Sequence, residues 1–76
     1  MDPSDTKLIQ ANLDNDPELA KLWAEHQEME KKLDDMNQRL YLSTEEQIER
    51  KRLQKLKLAG RDRIEQILAT LREADA

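Results

Sequence analysis

A heptad pattern of side chains in the middle of the chain constrains the fold more than any other sequence feature. Its seven members follow one another at alternating intervals of three and four residues, and they are Leu19, Leu22, His26, Met29, Leu33, Met36 and Leu40. Six of the seven are apolar. This spacing places them on one side of an α-helix and is typical of helices that pack against another helix. It predicts a long amphipathic helix over residues 17–40.

Proline and aspartate residues before this helix predict that a separate short helix precedes it. Pro17 disfavours helical geometry at the preceding residue and suits the first turn of a new helix, so Asp16 is predicted to be the N-cap of the long helix. The short helix is therefore predicted over residues 5–14, with Ser4 or Asp5 as its cap.

A third helix follows a short polar break. Ser43 stands three residues before Glu46, which is the spacing of a capping box, so this helix is predicted over residues 44–73. A connection this short makes the two long helices lie antiparallel. The sequence thus predicts a single all-α domain over residues 1–76, in which an antiparallel two-helix hairpin, similar to a coiled coil, carries a short N-terminal helix.

Charge is divided unevenly along the chain. Residues 1–49 hold 13 acids and 5 bases, a net charge of −8, whereas residues 50–76 hold 4 acids and 8 bases, a net charge of +4. Seven of those bases form a group in the third helix that we call the basic stripe, made of Arg50, Lys51, Arg52, Lys55, Lys57, Arg61 and Arg63.

The basic stripe has two interpretations. It could bind the phosphates of a nucleic acid, as clusters of Lys and Arg do. We favour ion pairing between helices and between subunits, because the second helix supplies acids at the same height and the net charge of the whole chain is −4. A nucleic-acid-associated protein is the alternative hypothesis. The acids in question are Glu25, Glu28, Glu30, Asp34 and Asp35.

The residues that carry catalysis or bind cofactors are too few here for an enzyme. The chain has no Cys, and its only two Ser residues, Ser4 and Ser43, stand at predicted caps. It has a single Gly, which leaves no glycine-rich phosphate loop. His26 and Glu30 together offer two metal ligands, whereas a structural zinc site needs four. We therefore predict a protein that is not an enzyme and has no catalytic, metal or cofactor site.

The apolar runs of the sequence are short. None exceeds three consecutive residues, whereas a membrane span needs about 20 predominantly apolar residues and a secretory signal needs a run of about 7–15. The first residues are also acidic rather than basic. We therefore expect a soluble protein of the cytoplasm that does not associate with membranes.

Apolar residues outside the main stripe of the third helix predict self-association. That stripe follows the period of the helix and consists of Leu53, Leu56, Gly60, Ile64, Ile67 and Leu71. Ile48, Leu58 and Leu68 fall off it and would remain exposed in a lone hairpin, and the short first helix can cover some of this surface but not all of it. A single core in a chain of this size rarely supplies more than about 3–5 kcal/mol of stability. We therefore predict a homodimer that forms a four-helix bundle, with a higher homo-oligomer or an unidentified protein partner as alternatives.

Trp23 and Gly60 are predicted to contact each other. The expected register of the hairpin places Gly60 opposite residue 24, within one residue of Trp23 and two of His26. Glycine in a helix costs about 1 kcal/mol relative to alanine, and close approach of a large group is the usual reason for it. We predict that Trp23 covers Gly60 and is mostly buried. The alternative is that Trp23 faces solvent or a protein partner, and His26 likewise has both a packing and a functional interpretation.

Several segments of the two long helices form a set that matches a known family. They are Pro17-Glu18-Leu19 with Trp23 and His26, then Leu42-Ser43-Thr44-Glu45-Glu46, then residues 52–58 and Asp62-Arg63-Ile64. Together they resemble the YdcH-like family, small bacterial proteins of unknown function, over about residues 7–71. The resemblance implies a helical hairpin of the bacterial cytoplasm and no established activity. The sequence differs from the family at Gly60, where leucine is usual, and at Arg61, where lysine is usual; a looser likeness to SlyX-like coiled-coil proteins also exists.

Overall fold

Three α-helices form the fold. The computed structural model describes residues 2–75, and within them α1 spans Pro3–Asn12, α2 spans Pro17–Gln38 and α3 spans Thr44–Asp75, with no strand. The helices α2 and α3 pack along each other as an antiparallel hairpin, and α1 packs against both. The predicted fold class, a hairpin with a short N-terminal helix, is confirmed.

The helix α1 begins and ends two residues before its predicted limits. Its N-cap is Asp2, whose side-chain oxygen accepts hydrogen bonds from the backbone amides of Ser4 at 2.9 Å and Asp5 at 3.0 Å. Pro3 therefore occupies the first helical position, where its missing N–H costs nothing. The caps proposed from the sequence, Ser4 and Asp5, are instead the residues that Asp2 caps.

The caps of the two long helices are the ones that the sequence predicts. The Asp16 carboxylate accepts a hydrogen bond from the backbone amide of Leu19 at 3.1 Å, which closes the start of α2. At the start of α3, the backbone amide of Glu46 donates to Ser43 Oγ and the backbone amide of Ser43 donates to Glu46 Oε1, both at 3.2 Å. That backbone bond from Ser43 is the main reason why the pKa of Glu46 lies below its usual value.

The turn of the hairpin comes earlier than the heptad pattern predicts. The helix α2 ends at Gln38 because the next residue, Arg39, has an extended backbone with φ −77° and ψ 138°. Leu40, the last member of the heptad, therefore lies outside the helix and is fully exposed. The Arg39 guanidinium spans the turn, since it pairs with Asp35 of α2 at 3.1 Å and also with Glu46 of α3. At the other end, α3 continues two residues beyond its predicted limit.

The main core lies where α1 meets the open end of the hairpin. It is a cluster of five buried side chains from all three helices, Ile9, Leu19, Ile64, Ile67 and Leu68. Leu68 falls off the main stripe of α3 and is the off-stripe residue that α1 covers: only 1% of its surface is accessible, because it packs in this cluster with Ile9 of α1. An ion pair between Asp5 of α1 and Arg72 of α3 joins these two helices at the same end of the hairpin.

Candidate functional site

An apolar groove runs along the surface between α2 and α3, and we call it the interhelical groove. Its apolar lining comes from both helices and consists of Leu22, Met29, Leu53, Leu56 and Ala59, with Gly60 beside them. Charged residues complete the lining and are Glu25, Glu28 and Lys32 from α2 and Arg63 from α3. No residue of α1 lines this groove. The short helix therefore leaves this part of the hairpin uncovered.

The groove exists because α3 covers only half of the heptad pattern of α2. One row of heptad residues is buried and consists of Leu19, His26 and Leu33. The other row is only half-buried and consists of Leu22, Met29 and Met36. A single helix packs directly over one row, so the second row lies at the edge of the contact. On α3, Leu56 was predicted in the buried stripe, but it lies on the groove side and is 46% exposed.

Gly60 opens into free space instead of meeting a large side chain. A Cβ atom placed on Gly60 has no neighbouring atom within 4 Å. The prediction that Trp23 covers Gly60 is therefore wrong. The predicted register of the hairpin is close to the observed one, since the ion pairs Glu18–Arg63 and Glu30–Lys57 lie on either side of the predicted pairing of Gly60 with residue 24. The error is one of direction around the helix: Trp23 is half-buried against the main core, whereas Gly60 borders the groove.

His26 is the one buried residue of α2 that can titrate. Only 4% of its surface is accessible, and its ring stacks on Trp23 with 5.8 Å between centroids and 15° between planes. Its Nε2 lies 3.3 Å from Glu30 Oε1, which is itself 3.5 Å from Lys57 Nζ. Burial lowers the pKa of His26, Glu30 opposes that effect and Lys57 adds to it. Burial therefore favours the neutral form of the ring.

The surroundings of His26 offer little chemistry. Its Nδ1 atom is buried and has no hydrogen-bond partner among the described residues. No group of three or more His, Asp or Glu side chains within residues 2–75 could hold a metal ion. The His26–Glu30 pair therefore orients the ring inside the hairpin, where Trp23 covers it.

The basic stripe makes two ion pairs that cross from α3 to α2. Lys57 reaches Glu30, and Arg63 donates to both carboxylate oxygens of Glu18 at 2.8 and 3.2 Å. These hydrogen bonds with Glu18 are the main reason why the pKa of Arg63 is raised. The remaining ion pairs of the stripe lie within α3 and join Arg52 to Glu49 at 3.6 Å and Arg61 to Glu65 at 3.2 Å.

The bases of the stripe point in several directions. Arg63 lines the interhelical groove, whereas Lys57 lies beside Leu58 at a different cleft. Arg52 and Lys55 line a third cleft, next to the groove. Because an α-helix has 3.6 residues per turn, bases spread over 14 consecutive positions of α3 do not all share a face. The structure thus disperses a cluster that looks continuous in the sequence.

Two of the candidate contact residues, Ile48 and Leu58, are well exposed and lie apart. Ile48 is 64% exposed and shares its cleft with Leu56, so it extends the apolar lining of the groove toward the turn. Leu58 is 58% exposed and lines a separate cleft with Gln54. The surface position of Leu22, Met29 and Leu56 was not predicted from the sequence. The signal that could have identified them is the second row of the heptad, which one partner helix leaves open.

The comparisons with known proteins place the chain in a family without assigning an activity. None of the helices within residues 2–75 has the length and apolar character needed to cross a membrane. No curated protein and no solved structure matches the chain. The model of one family, described as "Protein of unknown function (DUF465)", matches residues 19–68, which comprise most of α2, the turn and the part of α3 that packs on α2. This agrees with the resemblance to YdcH-like proteins, and the chain therefore belongs to the DUF465 family of proteins of unknown function.

Proposed function

We propose that this chain is a non-enzymatic structural or protein-interaction module of the bacterial cytoplasm, and that it acts by associating with itself as a coiled-coil-like homodimer. The observation that carries the proposal is the large surface that the hairpin leaves exposed. The molecule is a rod of 48 × 19 × 17 Å, and α3 alone spans its length. A rod two helices thick has an interior along only one line, so many of its apolar side chains stay at the surface.

The size of that surface supports a second copy as partner. The chain exposes 5786 Å², whereas a compact monomer of 9.0 kDa exposes about 4,850 Å² by the usual scaling of surface with mass. The surplus is about 900 Å², close to the roughly 800 Å² that each partner buries in a stable protein interface. Part of it belongs to Ile48, Leu56 and Leu58, which are large apolar residues with about half or more of their surface exposed.

The absence of catalysis is part of the same proposal and rests on the chemistry of the side chains. Ser43 is occupied in a helix cap, and His26 is buried without access to a substrate. Several carboxylates of α2 line open clefts on the outer side of the helix. A general acid–base pair needs a pocket that separates two pKa values, and a hairpin offers open grooves instead.

Sedimentation equilibrium tests the self-association. At tens of micromolar the mass should approach twice 9.0 kDa, and it should fall toward 9.0 kDa on dilution. The association should persist at high salt, because apolar burial drives it. A cooperative thermal transition from a species that stays at 9.0 kDa over the whole concentration range would refute the proposal.

Nucleic-acid association is the second candidate function, and the exposed bases Arg52 and Lys55 favour it. Two features argue against nucleic-acid association: the bases of the stripe are scattered around α3, and the acids of α2 lie beside them. We expect no binding to duplex DNA tighter than about 10⁻⁵ M near physiological salt. A fluorescence titration with duplex DNA from low to physiological salt measures this. Nanomolar affinity with a steep dependence on salt would replace self-association by this second function.

A further inference from the structure

We propose that the second copy binds in the interhelical groove, with α2 of each copy lying over α3 of the other. This inference rests on the proposed self-association and specifies the face, the orientation and the register of the dimer. It thereby selects the groove over Leu58 and over the fully exposed Leu40 at the turn as the contact between subunits.

The heptad row of α2 that α3 leaves half-buried indicates that the groove is the contact between subunits. Leu22 and Met29 belong to the half-buried row, and they line the groove together with Leu56 of α3. In a four-helix bundle both heptad rows of a helix are covered, because each helix packs between two neighbours. The hairpin supplies one neighbour for α2, and the groove is the place for the other.

Gly60 gives a second, independent indication. The space over Gly60 is empty within 4 Å, although glycine lowers the helical stability of α3 there. No side chain of the same chain uses that space. In a dimer through the groove, an α2 side chain of the second copy can approach the α3 backbone closely at this position, as small residues allow.

Charge decides how the two copies are oriented. The α2 edge of the groove carries two acids, Glu25 and Glu28, and one base, Lys32, whereas the α3 edge carries bases, among them Arg63 and the neighbouring Lys55. A two-fold axis across the helices would place α2 on α2 and α3 on α3, with like charges facing each other. A two-fold axis parallel to the helices places the acidic edge of each copy on the basic edge of the other, and it also makes the facing helices antiparallel.

Symmetry then fixes the register. Rotation about an axis parallel to the helices leaves every residue at its own height along the rod. The α2 residue of one copy therefore faces the α3 residue that lies at the same height in its own hairpin. By the register of the hairpin, Glu25 of one copy faces Ala59 of the other, and Glu28 faces Lys55 within one residue. Within residues 2–75, neither Glu28 nor Lys55 has an ion-pair partner.

Mixed disulfides test this arrangement directly, because the natural chain has no Cys. Two variants with one thiol each, Glu25→Cys and Ala59→Cys, change exposed positions on opposite edges of the groove. They are mixed in equal amounts, allowed to exchange subunits and oxidised gently. Leu58→Cys serves as the matched control, since it is exposed on α3 away from the groove. Circular dichroism confirms that each variant is helical, and sedimentation equilibrium is run on the natural chain in parallel.

We expect the disulfide between positions 25 and 59 to exceed either self-linked product and to exceed the product of Glu25→Cys with Leu58→Cys. A dimer in which Glu25→Cys links mainly to itself, or in which position 58 reacts as readily as position 59, overturns the proposed arrangement and leaves self-association standing. A natural chain that remains monomeric overturns both proposals.

A charge exchange gives a second test that needs no disulfide. Glu28→Lys should weaken the dimer about tenfold, because the two-fold axis repeats the new repulsion in two pairs. Lys55→Glu in the same chain should restore the affinity, since the pair is then reversed rather than broken. Failure of Lys55→Glu to restore a dimer weakened by Glu28→Lys, with both variants helical, contradicts the orientation.

Discussion

The substitution Gly60→Ala should stabilise the hairpin, although glycine within a long helix suggests a site that cannot accept a side chain. The new methyl group meets no atom within 4 Å, so the substitution introduces no clash within the chain. Alanine is favoured over glycine in a helix interior by about 1 kcal/mol. For a domain of 60–100 residues, a gain of this size corresponds to a rise of about 4–8 °C in the midpoint of thermal unfolding.

The measurement is thermal and urea unfolding followed by circular dichroism at low micromolar protein, where association contributes least. The matched control is Ala59→Gly at the adjacent exposed position of α3, which should lower stability by about the same amount. The variant that carries both changes should return close to the natural stability. A Gly60→Ala protein that is no more stable than the natural one, beside an Ala59→Gly protein that is destabilised, would refute the reasoning.

The larger substitution Gly60→Leu separates folding from association. Within one chain, leucine has nearly the helix propensity of alanine and its Cβ would meet no atom within 4 Å, so we expect no overpacking. In a dimer through the interhelical groove, the same side chain blocks the approach of the second copy. The thermal midpoint of the natural chain should therefore rise with protein concentration, while that of Gly60→Leu should start higher and stay nearly constant.

Three further predictions concern single features of the fold. Burial lowers the pKa of His26 below 6.5, so the unfolded chain takes up the proton before the folded chain does as the pH falls. The contribution of His26 to the free energy of unfolding is therefore intact above pH 6.5 and is lost as the pH falls through the lowered pKa. The urea midpoint should drop more between about pH 7.5 and pH 5.5 in the natural chain than in His26→Gln. Ser43→Ala removes the cap of α3 and should cost about 1 kcal/mol in urea unfolding, whereas Thr44→Ala should cost less. A double-mutant cycle with Glu18→Gln and Arg63→Gln should give a small favourable coupling that shrinks as salt is added, because the pair is exposed.

The parts of the fold that sequence predicts well are those that depend on neighbouring residues. The caps at Asp16 and Ser43 need only a side-chain oxygen two or three residues before a free amide, so local spacing is sufficient. The buried heptad row that begins at Leu19 follows from the helix period alone. The short turn then leaves the two long helices one arrangement, an antiparallel hairpin. The end of α2 was less predictable, because apolar spacing continues to Leu40 while the backbone leaves the helix at Arg39.

The candidate site was predicted less well because it depends on the angle around each helix. The register of the hairpin was nearly right, yet an error of one residue along a helix turns a side chain by about 100°. Trp23 and Leu22 are adjacent, but Leu22 lines the groove whereas Trp23 lies toward His26. The register gives the position of Trp23 along the hairpin, which is near Gly60, but it does not give the side of the helix on which the indole lies.

The different exposure of Leu56 and Leu68 depends on which side of α3 the short helix α1 covers. Periodicity alone assigns Leu56 to the buried stripe of α3 and Leu68 to its surface, and the structure has the reverse. Both residues flank the same line of α3 contacts, on opposite sides. Ile9 of α1 packs in the core that includes Leu68, and α1 is too short to reach around to the groove beside Leu56. Because α1 packs on the Leu68 side of the hairpin, the apolar residues on the Leu56 side stay exposed along the groove, and the proposed dimer would cover them there.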